Sequence, residues 1–167
     1  GKWALSCCKF DPKVEVTLMD FPGQLAIAKE NAAKHGVTDR VHTFATDLLD
    51  ESRPFIEGAD TYWMSQFLDC FSKAQILSIL QRTANAMTAN SQLFIVETFW
   101  DRQPSAASAY CVNATSLYFT AMANGNSRMY HSKDLMALLH QAGLYVDEDT
   151  DNIGLGHTLL RCKRKPC

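Results

Sequence analysis

The chain has 167 residues, of which 47% are hydrophobic and 20% are charged, a composition typical of one ordinary globular domain. Its 16 basic and 18 acidic residues give a net charge of −2, so there is no electrostatic basis for a nucleic-acid partner. No apolar run reaches 18 residues, and no membrane span or membrane partner is expected. We interpret the short basic stretch at residues 161–165 as a solvated chain end.

The spacing of the cysteines favours free thiols. No pair has the Cys-x-x-Cys spacing of a zinc or redox site, and two of the cysteines are adjacent in the chain. The sequence therefore predicts a cytoplasmic protein with reduced cysteines and no bound metal. The six positions are Cys7, Cys8, Cys70, Cys111, Cys162 and Cys167.

The apolar pattern predicts helices and strands that alternate along the first half of the chain. Pro22 suits the first turn of a helix, and Gly36 suits the position just after its end. The predicted elements are the end of a helix over 3–10, a strand over 14–20, a helix over 22–35, and strands over 40–45 and 60–64.

The second half continues this alternation and ends in two successive strands. Ser72 and Gln75 have the spacing of a capping box, and Ser132 is expected to cap a later helix that ends at Gly143. The apolar run over 93–97 is typical of a strand covered on both faces. The other predicted elements are helices that begin at 72, 108 and 132, and two antiparallel strands over 144–147 and 157–163, joined by an acidic connection.

Alternation of this kind indicates a Rossmann-like, doubly wound α/β sheet with an antiparallel strand pair at its end. The series begins with a helix, whereas the first strand of such a sheet lies at its centre. A sheet without that strand would leave backbone groups unpaired, at a cost of roughly 1–3 kcal/mol for each buried group. We therefore expect residues 1–167 to be one C-terminal domain that is incomplete at its N-terminus. Its sheet would have seven strands, with the first one before Gly1.

Two acids follow the ends of neighbouring predicted strands. Asp20 lies at the tip of the strand over 14–20, and Asp47 lies just past the strand over 40–45. Open α/β sheets bind ligands at the carboxyl ends of their strands. A carboxylate there can accept hydrogen bonds from both hydroxyls of a ribose, so the pattern predicts a nucleoside-containing cofactor.

Several short motifs then occur in an order that resembles a known family. They are Gly1-Lys-Trp-Ala, Asp20-Phe-Pro, Thr46-Asp-Leu, residues 64–72, Ile95-Val-Glu, Ser127-Arg-Met-Tyr and Ala142-Gly-Leu. Together they resemble the catalytic domain of class I S-adenosylmethionine-dependent methyltransferases. They are most similar to the small-molecule O-methyltransferases, which include plant caffeate-type and bacterial polyketide-tailoring enzymes.

The resemblance implies that the cofactor is S-adenosylmethionine. Asp20 would accept from the ribose hydroxyls, and Asp47 would accept from the adenine amine while Leu48 supplies a backbone N–H. As alternatives, Asp20 could cap the following helix, Phe21 could be a core aromatic rather than a partner of adenine, and Asp47 could be a solvated turn acid. The cofactor-binding residues expected in full are Gly1, Asp20, Phe21, Asp47, Leu48 and Ser65.

The expected catalytic residues depart from those of the plant enzymes. Asp69 stands where those enzymes carry a catalytic His, Met129 stands in place of a supporting Glu, and only Glu97 matches an expected acid. A carboxylate among the apolar neighbours of Asp69 would have a raised pKa and could act as the base. Asp69 as a structural or capping acid, and Glu97 as a plain strand-end acid, remain alternatives.

An apolar acceptor pocket is expected near the loop over 123–127. Its walls would be Tyr118, Phe119, Met122, Met129 and Tyr130. At helical spacing such a stripe could equally be plain core, and we interpret the neighbouring His131 as structural.

The sequence thus predicts an S-adenosylmethionine-dependent enzyme that methylates a hydroxyl of a small aromatic or polyketide-like molecule. A cofactor-binding module without transfer chemistry is an alternative, because the His/Glu dyad is absent. A nicotinamide-dependent oxidoreductase is a third possibility, which Asp47 and the terminal strand pair disfavour. The resemblance also implies a homodimer, formed through a helical region before Gly1 that closes the acceptor pocket.

Overall fold

The computed structural model describes residues 1–165, which divide into two compact units, one spanning Gly1–Arg53 and the other beginning at Pro54. The order of the helices and strands agrees with the order predicted from the sequence. Within residues 1–165, no helix has both the length and the apolar character needed to cross a membrane. The five cysteines in this part are free thiols, and Cys167 lies outside the described residues.

The first unit consists of two parallel strands and two helices. Strands β1 and β2 pair in register, with Asp20 of β1 opposite Ala45 of β2. The core is formed where the helices bury Cys8 and Ala32 together with Val37 and Val41. The elements are α1 (Lys2–Phe10), β1 (Val16–Asp20), α2 (Pro22–Lys34) and β2 (Val41–Ala45).

Helix α2 begins and ends as its sequence predicts. Phe21 is extended at the N-cap position and Pro22 follows as the first helical residue, where a missing N–H costs nothing. Gly36 has a φ of 66°, a left-handed conformation that glycine adopts without steric cost. The chain then turns directly into β2.

The second unit is a four-stranded mixed sheet with the strand order β3-β4-β6-β5. Strands β3 and β4 are parallel, and β6 pairs antiparallel with both β4 and β5. This confirms a mixed α/β fold and the terminal antiparallel pair, while the count of seven strands stays a prediction. The elements are β3 (Thr61–Ser65), α3 (Lys73–Ala86), β4 (Gln92–Glu97), α4 (Ala106–Met122), α5 (Ser132–Gln141), β5 (Leu144–Ile153) and β6 (His157–Arg164), with 3₁₀ turns at Leu68–Cys70 and Trp100–Arg102.

The core of the second unit lies on one face of this sheet. Alternate residues of β4 are fully buried, namely Leu93, Ile95 and Glu97, whereas the residues between them are half-buried. The strand is therefore covered on both faces, as expected, but more completely on one of them. Helix α3 is held at its start by the predicted capping box of Ser72 and Gln75, and it buries Ile76, Ile79, Leu80 and Ala84.

The acidic connection after residue 147 belongs to β5, so the predicted boundary of that strand was wrong. Asp147 pairs with Arg161 of β6 at 2.7 Å and with Lys163 at 2.9 Å. Cross-strand charge pairs of this kind stabilise extended pairing. For the same reason the basic stretch at 161–164 is part of a strand and not a solvated chain end.

Two helix starts differ from the sequence prediction. Ser105 and Ser108 form a capping box that begins α4 two residues before the predicted start. Helix α5 is capped by His131, whose Nδ1 accepts a hydrogen bond from the Lys133 amide at 3.1 Å, and Ser132 is its first helical residue. This cap gives His131 the structural role expected of it.

Candidate functional site

Asp20 and Asp47 lie at one edge of the β1–β2 pair. The two strands are parallel, so their carboxyl ends meet at this edge, and the Thr46 amide donates to the Asp20 carbonyl at 3.1 Å. Asp47 follows immediately. The first unit therefore brings together the two acids that the sequence singled out.

Both carboxylates keep one oxygen without a hydrogen bond inside the described part of the chain. Asp20 Oδ1 accepts from the Phe21 amide at 2.8 Å, and Asp47 Oδ1 accepts from the Leu49 amide at 2.9 Å. Each bond is local and fixes the side chain, and each residue is exposed. No side chain caps α2. Asp20 is therefore not the capping acid of this helix, and its carboxylate is available to a ligand.

The other expected cofactor residues of the first unit surround this edge in the chain. Phe21 is 54% exposed, which makes the core-aromatic alternative wrong. Gly1 is the N-cap of α1, and a Cβ added there would contact Leu18 of β1 and Ala28 of α2 at 3.4 Å. Leu48 is half-buried in the turn after β2.

In the second unit, Ser65 ends β3 and leads into a tightly held turn. The next residue, Gln66, has a φ of 49°, an uncommon conformation for a residue with a side chain, of the kind that gathers at functional sites. Its amide donates to the Val96 carbonyl at 2.9 Å, and its side chain reaches Thr98 Oγ1 at 3.2 Å. The turn that follows carries Asp69.

Glu97 holds this turn from the sheet side. Its Oε1 accepts hydrogen bonds from the amides of Phe67 at 2.9 Å and Leu68 at 2.8 Å. Asp69 sits in the middle of the 3₁₀ turn Leu68–Cys70. Since Ser72 and Gln75 make the cap of α3, Asp69 does not cap that helix.

The loop after α4 also holds this turn, through hydrogen bonds to the carbonyl groups of residues 69–71. The Arg128 amide donates to the Asp69 carbonyl at 2.8 Å, and the Tyr130 hydroxyl donates to the Phe71 carbonyl at 2.6 Å. Asn124 Nδ2 donates to the Cys70 carbonyl at 3.1 Å. The backbone around Asp69 is therefore fixed by hydrogen bonds at nearly every residue.

Asp69 and Glu97 line the same small cavity, which has a volume of about 10 Å³, roughly the space of a single water. Burial raises the pKa of Glu97 to about 8, and the nearby Asp69 carboxylate adds to the rise. Burial also raises the pKa of Asp69. The cavity is lined by Leu68, Asp69, Glu97, Thr98, Phe99, Tyr130 and Leu135.

The sequence of this chain is similar to those of known methyltransferases. Residues 1–145 match the O-methyltransferase domain family. The chain belongs to this family. It is 27% identical over 149 residues to a mitomycin biosynthesis 6-O-methyltransferase of Streptomyces lavendulae, covering 88% of this chain and 40% of that protein. It is 27% identical over 101 residues to a bacteriochlorophyllide d C-20 methyltransferase of Chlorobaculum tepidum, covering 60% of this chain and 29% of that protein.

The fold of this O-methyltransferase domain is also found among solved structures. One of them is an O-methyltransferase from neocarzinostatin biosynthesis in complex with S-adenosylmethionine and 2-hydroxy-5-methyl naphthoic acid. The two structures are similar with a TM-score of 0.78 and 18% identity, over 95% of this chain and 44% of that one. The O-methyltransferase domain thus spans less than half the length of the relatives it matches.

The expected acceptor-pocket residues fall into two groups in the O-methyltransferase domain. Tyr118, Phe119 and Met122 lie on α4 and are 61%, 41% and 69% exposed, and no residue of α4 is buried. Tyr130 is buried and Met129 is half-buried. The alternative interpretation, in which the stripe on α4 is part of the core, is therefore wrong for this chain.

Asn124 is a site residue that the sequence interpretation missed. Its Oδ1 accepts from the amides of Asn126 at 2.9 Å and Ser127 at 2.8 Å, while its Nδ2 reaches the turn that carries Asp69. The Asn-Gly pair at 124–125 is a turn signal, and it could have indicated a structured loop. Nothing in the sequence indicates which turn that loop contacts.

Proposed function

We propose that the protein transfers a methyl group from S-adenosylmethionine to a hydroxyl of a small aromatic or polyketide-like acceptor. One structural observation carries the proposal: in a chain of the O-methyltransferase family, Asp20 and Asp47 stand at one strand edge with a free carboxylate oxygen each. Two relatives are named as a mitomycin biosynthesis 6-O-methyltransferase and a bacteriochlorophyllide d C-20 methyltransferase, and both names support a small-molecule acceptor.

The residues at this edge fit the proposed cofactor. Asp20 would accept from the ribose hydroxyls through its unbonded oxygen, and Asp47 would accept from the adenine amine. The exposed ring of Phe21 offers a face for the adenine, and Gly1 and Leu48 of the same unit belong to the expected set. Ser65 of the second unit stays a separate prediction. S-adenosylmethionine supplies an activated methyl on a sulfonium when it is bound.

The chain's own contribution to the chemistry is proton removal and alignment. Asp69 is the proposed base, because a carboxylate with a raised pKa can accept a phenolic proton. The hydrogen bonds that fix the turn around Asp69 reduce the cost of holding it in one orientation. Glu97 and the buried Tyr130 lie against the same cavity.

We further propose that the exposed apolar side of α4 is covered in the complete protein. Leu117, Tyr118 and Met122 are each more than half exposed, which is unusual for an apolar helix of a monomer. A sequence region outside these 167 residues, together with a second copy of the protein, would close the acceptor pocket there. The complete protein would be a cytoplasmic homodimer without nucleic-acid or membrane partners, and residues 1–167 would form one catalytic domain of it.

The proposal is tested by incubating the full-length protein with methyl-labelled S-adenosylmethionine and a panel of hydroxynaphthoates and simpler phenols. Calorimetric titration with S-adenosylhomocysteine is run in parallel. Label found on a phenolic oxygen supports the proposal. Tight binding without transfer to any phenol would favour the alternative of a cofactor-binding module. That alternative remains because Asp69 stands where related enzymes carry a catalytic His. Preference for a nicotinamide dinucleotide would overturn both.

A further inference from the structure

Glu97 is a buried acid that the proposed proton transfer does not use. It ends β4, its side chain belongs to a residue only 3% exposed, and it lies between the sheet and the turn that carries Asp69. A buried carboxyl group is costly to keep. The contacts of the Glu97 side chain should therefore offset this cost.

The Oε1 atom of Glu97 accepts two hydrogen bonds from the backbone of the turn. One oxygen accepts from two consecutive amides, those of Phe67 and Leu68, at 2.9 and 2.8 Å. These amides open the 3₁₀ turn Leu68–Cys70, where no partner within the turn is available to them. Glu97 thus supplies the acceptor that fixes the direction in which the turn leaves β3, and with it the position of Asp69.

The second oxygen, Oε2, shows which charge state this arrangement favours. It is buried and has no hydrogen-bond partner within residues 1–165. No Lys, Arg or His of that part of the chain forms an ion pair with Glu97, as the charged pairs all lie elsewhere. Two carboxylates side by side without a cation do not both ionise readily.

Among the titratable groups around Glu97, the Asp69 carboxylate raises the pKa of Glu97, whereas the hydrogen bonds from the amides of Phe67 and Leu68 lower it. Cys70 on the turn and Tyr130 of the loop after α4 are the other titratable groups near it. The pKa of Glu97 is accordingly raised to about 8, mainly by burial. Asp69 is more exposed than Glu97, so it is the member of the pair that ionises first.

We propose that Glu97 is a positioning residue that holds the Asp69 turn as a neutral carboxylic acid, and that Asp69 alone takes the proton of the acceptor. Oε1 acts as the acceptor for the two amides, and Oε2 carries the proton toward the cavity. This proposal rests on the proposed function for the role of Asp69. The clamp and the charge state of Glu97 can be tested without any methyl transfer.

The test without transfer is an amide titration on the full-length protein. The ¹⁵N-labelled amides of Phe67 and Leu68 should shift with a midpoint near pH 8 in the wild type, because they donate to Glu97. In Glu97→Gln, which has the shape of the neutral acid, this titration should be absent. A wild-type midpoint near pH 4.5, the ordinary value for Glu, would overturn the proposal.

The test with transfer compares Glu97→Gln, Glu97→Ala and Asp69→Asn. Glu97→Gln keeps an acceptor for the two amides and should retain turnover within about threefold of wild type. Glu97→Ala should lose at least tenfold in kcat with the KM for S-adenosylmethionine unchanged, and rescue by Gln separates positioning from ionisation. If Glu97→Gln falls as far as Asp69→Asn, Glu97 must be charged and the proposal fails. A wild type without transfer would remove the proposed function but leave the amide titration standing.

Discussion

Two pairs of acids in this chain differ mainly in how much water reaches them. Asp20 and Asp47 are exposed at the β1–β2 edge, and each is fixed by one local amide. Glu97 is buried, and Asp69 is partly buried beside it. The first pair is open to a ligand in solvent, whereas burial raises the pKa values of the second pair. The same functional group therefore suits ligand binding in one place and proton transfer in the other.

The side chains of the two pairs are also held in different ways. At the exposed edge the strand ends do most of the work, because parallel pairing alone places Asp20 and Asp47 together. At the turn, Glu97 of β4 accepts hydrogen bonds, while Arg128 and Tyr130 of the loop after α4 donate them, so the turn is held by two segments that are far from it in the sequence. We expect substitutions at the turn to affect more properties than substitutions at the edge.

The largest expected effect is on catalysis. Asp69→Asn keeps the shape of the side chain and removes its basicity, so kcat should fall by about 10²–10⁴-fold with little change in cofactor affinity. Steady-state kinetics of the full-length enzyme measure this. Asp134→Asn is the matched control, since the Asp134 carboxylate pairs with Lys73 and does not line the cavity. A control that loses as much activity as Asp69→Asn would remove the special role of Asp69.

The next effect is on stability and its dependence on pH. The pKa of Glu97 is about 8 in the folded protein and 4.5 is its ordinary value, so the folded state binds the proton more tightly. The stability from this group is fully present below pH 4.5 and is lost as the pH rises through 8, by about 5 kcal/mol. Denaturant unfolding at several pH values should show this decline in wild type. Glu97→Gln should lack it, and equal slopes would contradict the buried neutral acid.

Cofactor binding should respond to the exposed pair. Asp20→Ala removes a charge-assisted acceptor worth about 1.5–3 kcal/mol, so S-adenosylhomocysteine should bind roughly ten- to a hundredfold more weakly. Calorimetric titration measures the change. Asp39→Ala, at an exposed position of the same unit outside the strand edge, should bind as wild type does. Equal affinities for all three proteins would refute the assignment of Asp20.

The smallest effect is expected from one hydroxyl at the turn. Tyr130→Phe removes the 2.6 Å hydrogen bond to the Phe71 carbonyl and should lower the free energy of unfolding by about 1 kcal/mol. Tyr110 is 75% exposed, and Tyr110→Phe should leave stability unchanged. Urea unfolding of both variants compares them directly. A larger loss in the Tyr110 variant would show that the turn is not held as described.

The fold was predictable where local chemistry determined it. The Ser72–Gln75 capping box, Pro22 at a helix start and Gly36 after a helix end were correct because each acts within a few residues. Strand β5 was predicted too short because its acidic half is paired with distant residues: Glu148 with Arg161 of β6, and Asp149 and Asp151 with Arg102. Such pairing depends on register, which the sequence of one strand does not reveal.

The candidate site shows the same division. Asp20 and Asp47 could be placed together from the rule for parallel strand ends, and the raised pKa of Asp69 followed from its apolar neighbours. The clamp by Glu97 and the contact of Asn124 could not be predicted, because both depend on which loop meets which turn. The exposed side of α4 also departs from its apolar sequence, since nothing in the described chain buries that helix.

The central claim is that the exposed acids bind the cofactor, while Asp69 takes the proton and Glu97 holds the turn that carries Asp69. It is tested most directly by steady-state kinetics of Asp20→Ala and Asp69→Asn. The full-length enzyme is assayed with S-adenosylmethionine and a phenol that the wild type methylates. We predict that Asp20→Ala raises the KM for S-adenosylmethionine about ten- to a hundredfold with kcat largely kept. Asp69→Asn should lower kcat about 10²–10⁴-fold with that KM unchanged. If both variants changed the same parameter to the same extent, the division of labour between the two pairs of acids would be contradicted.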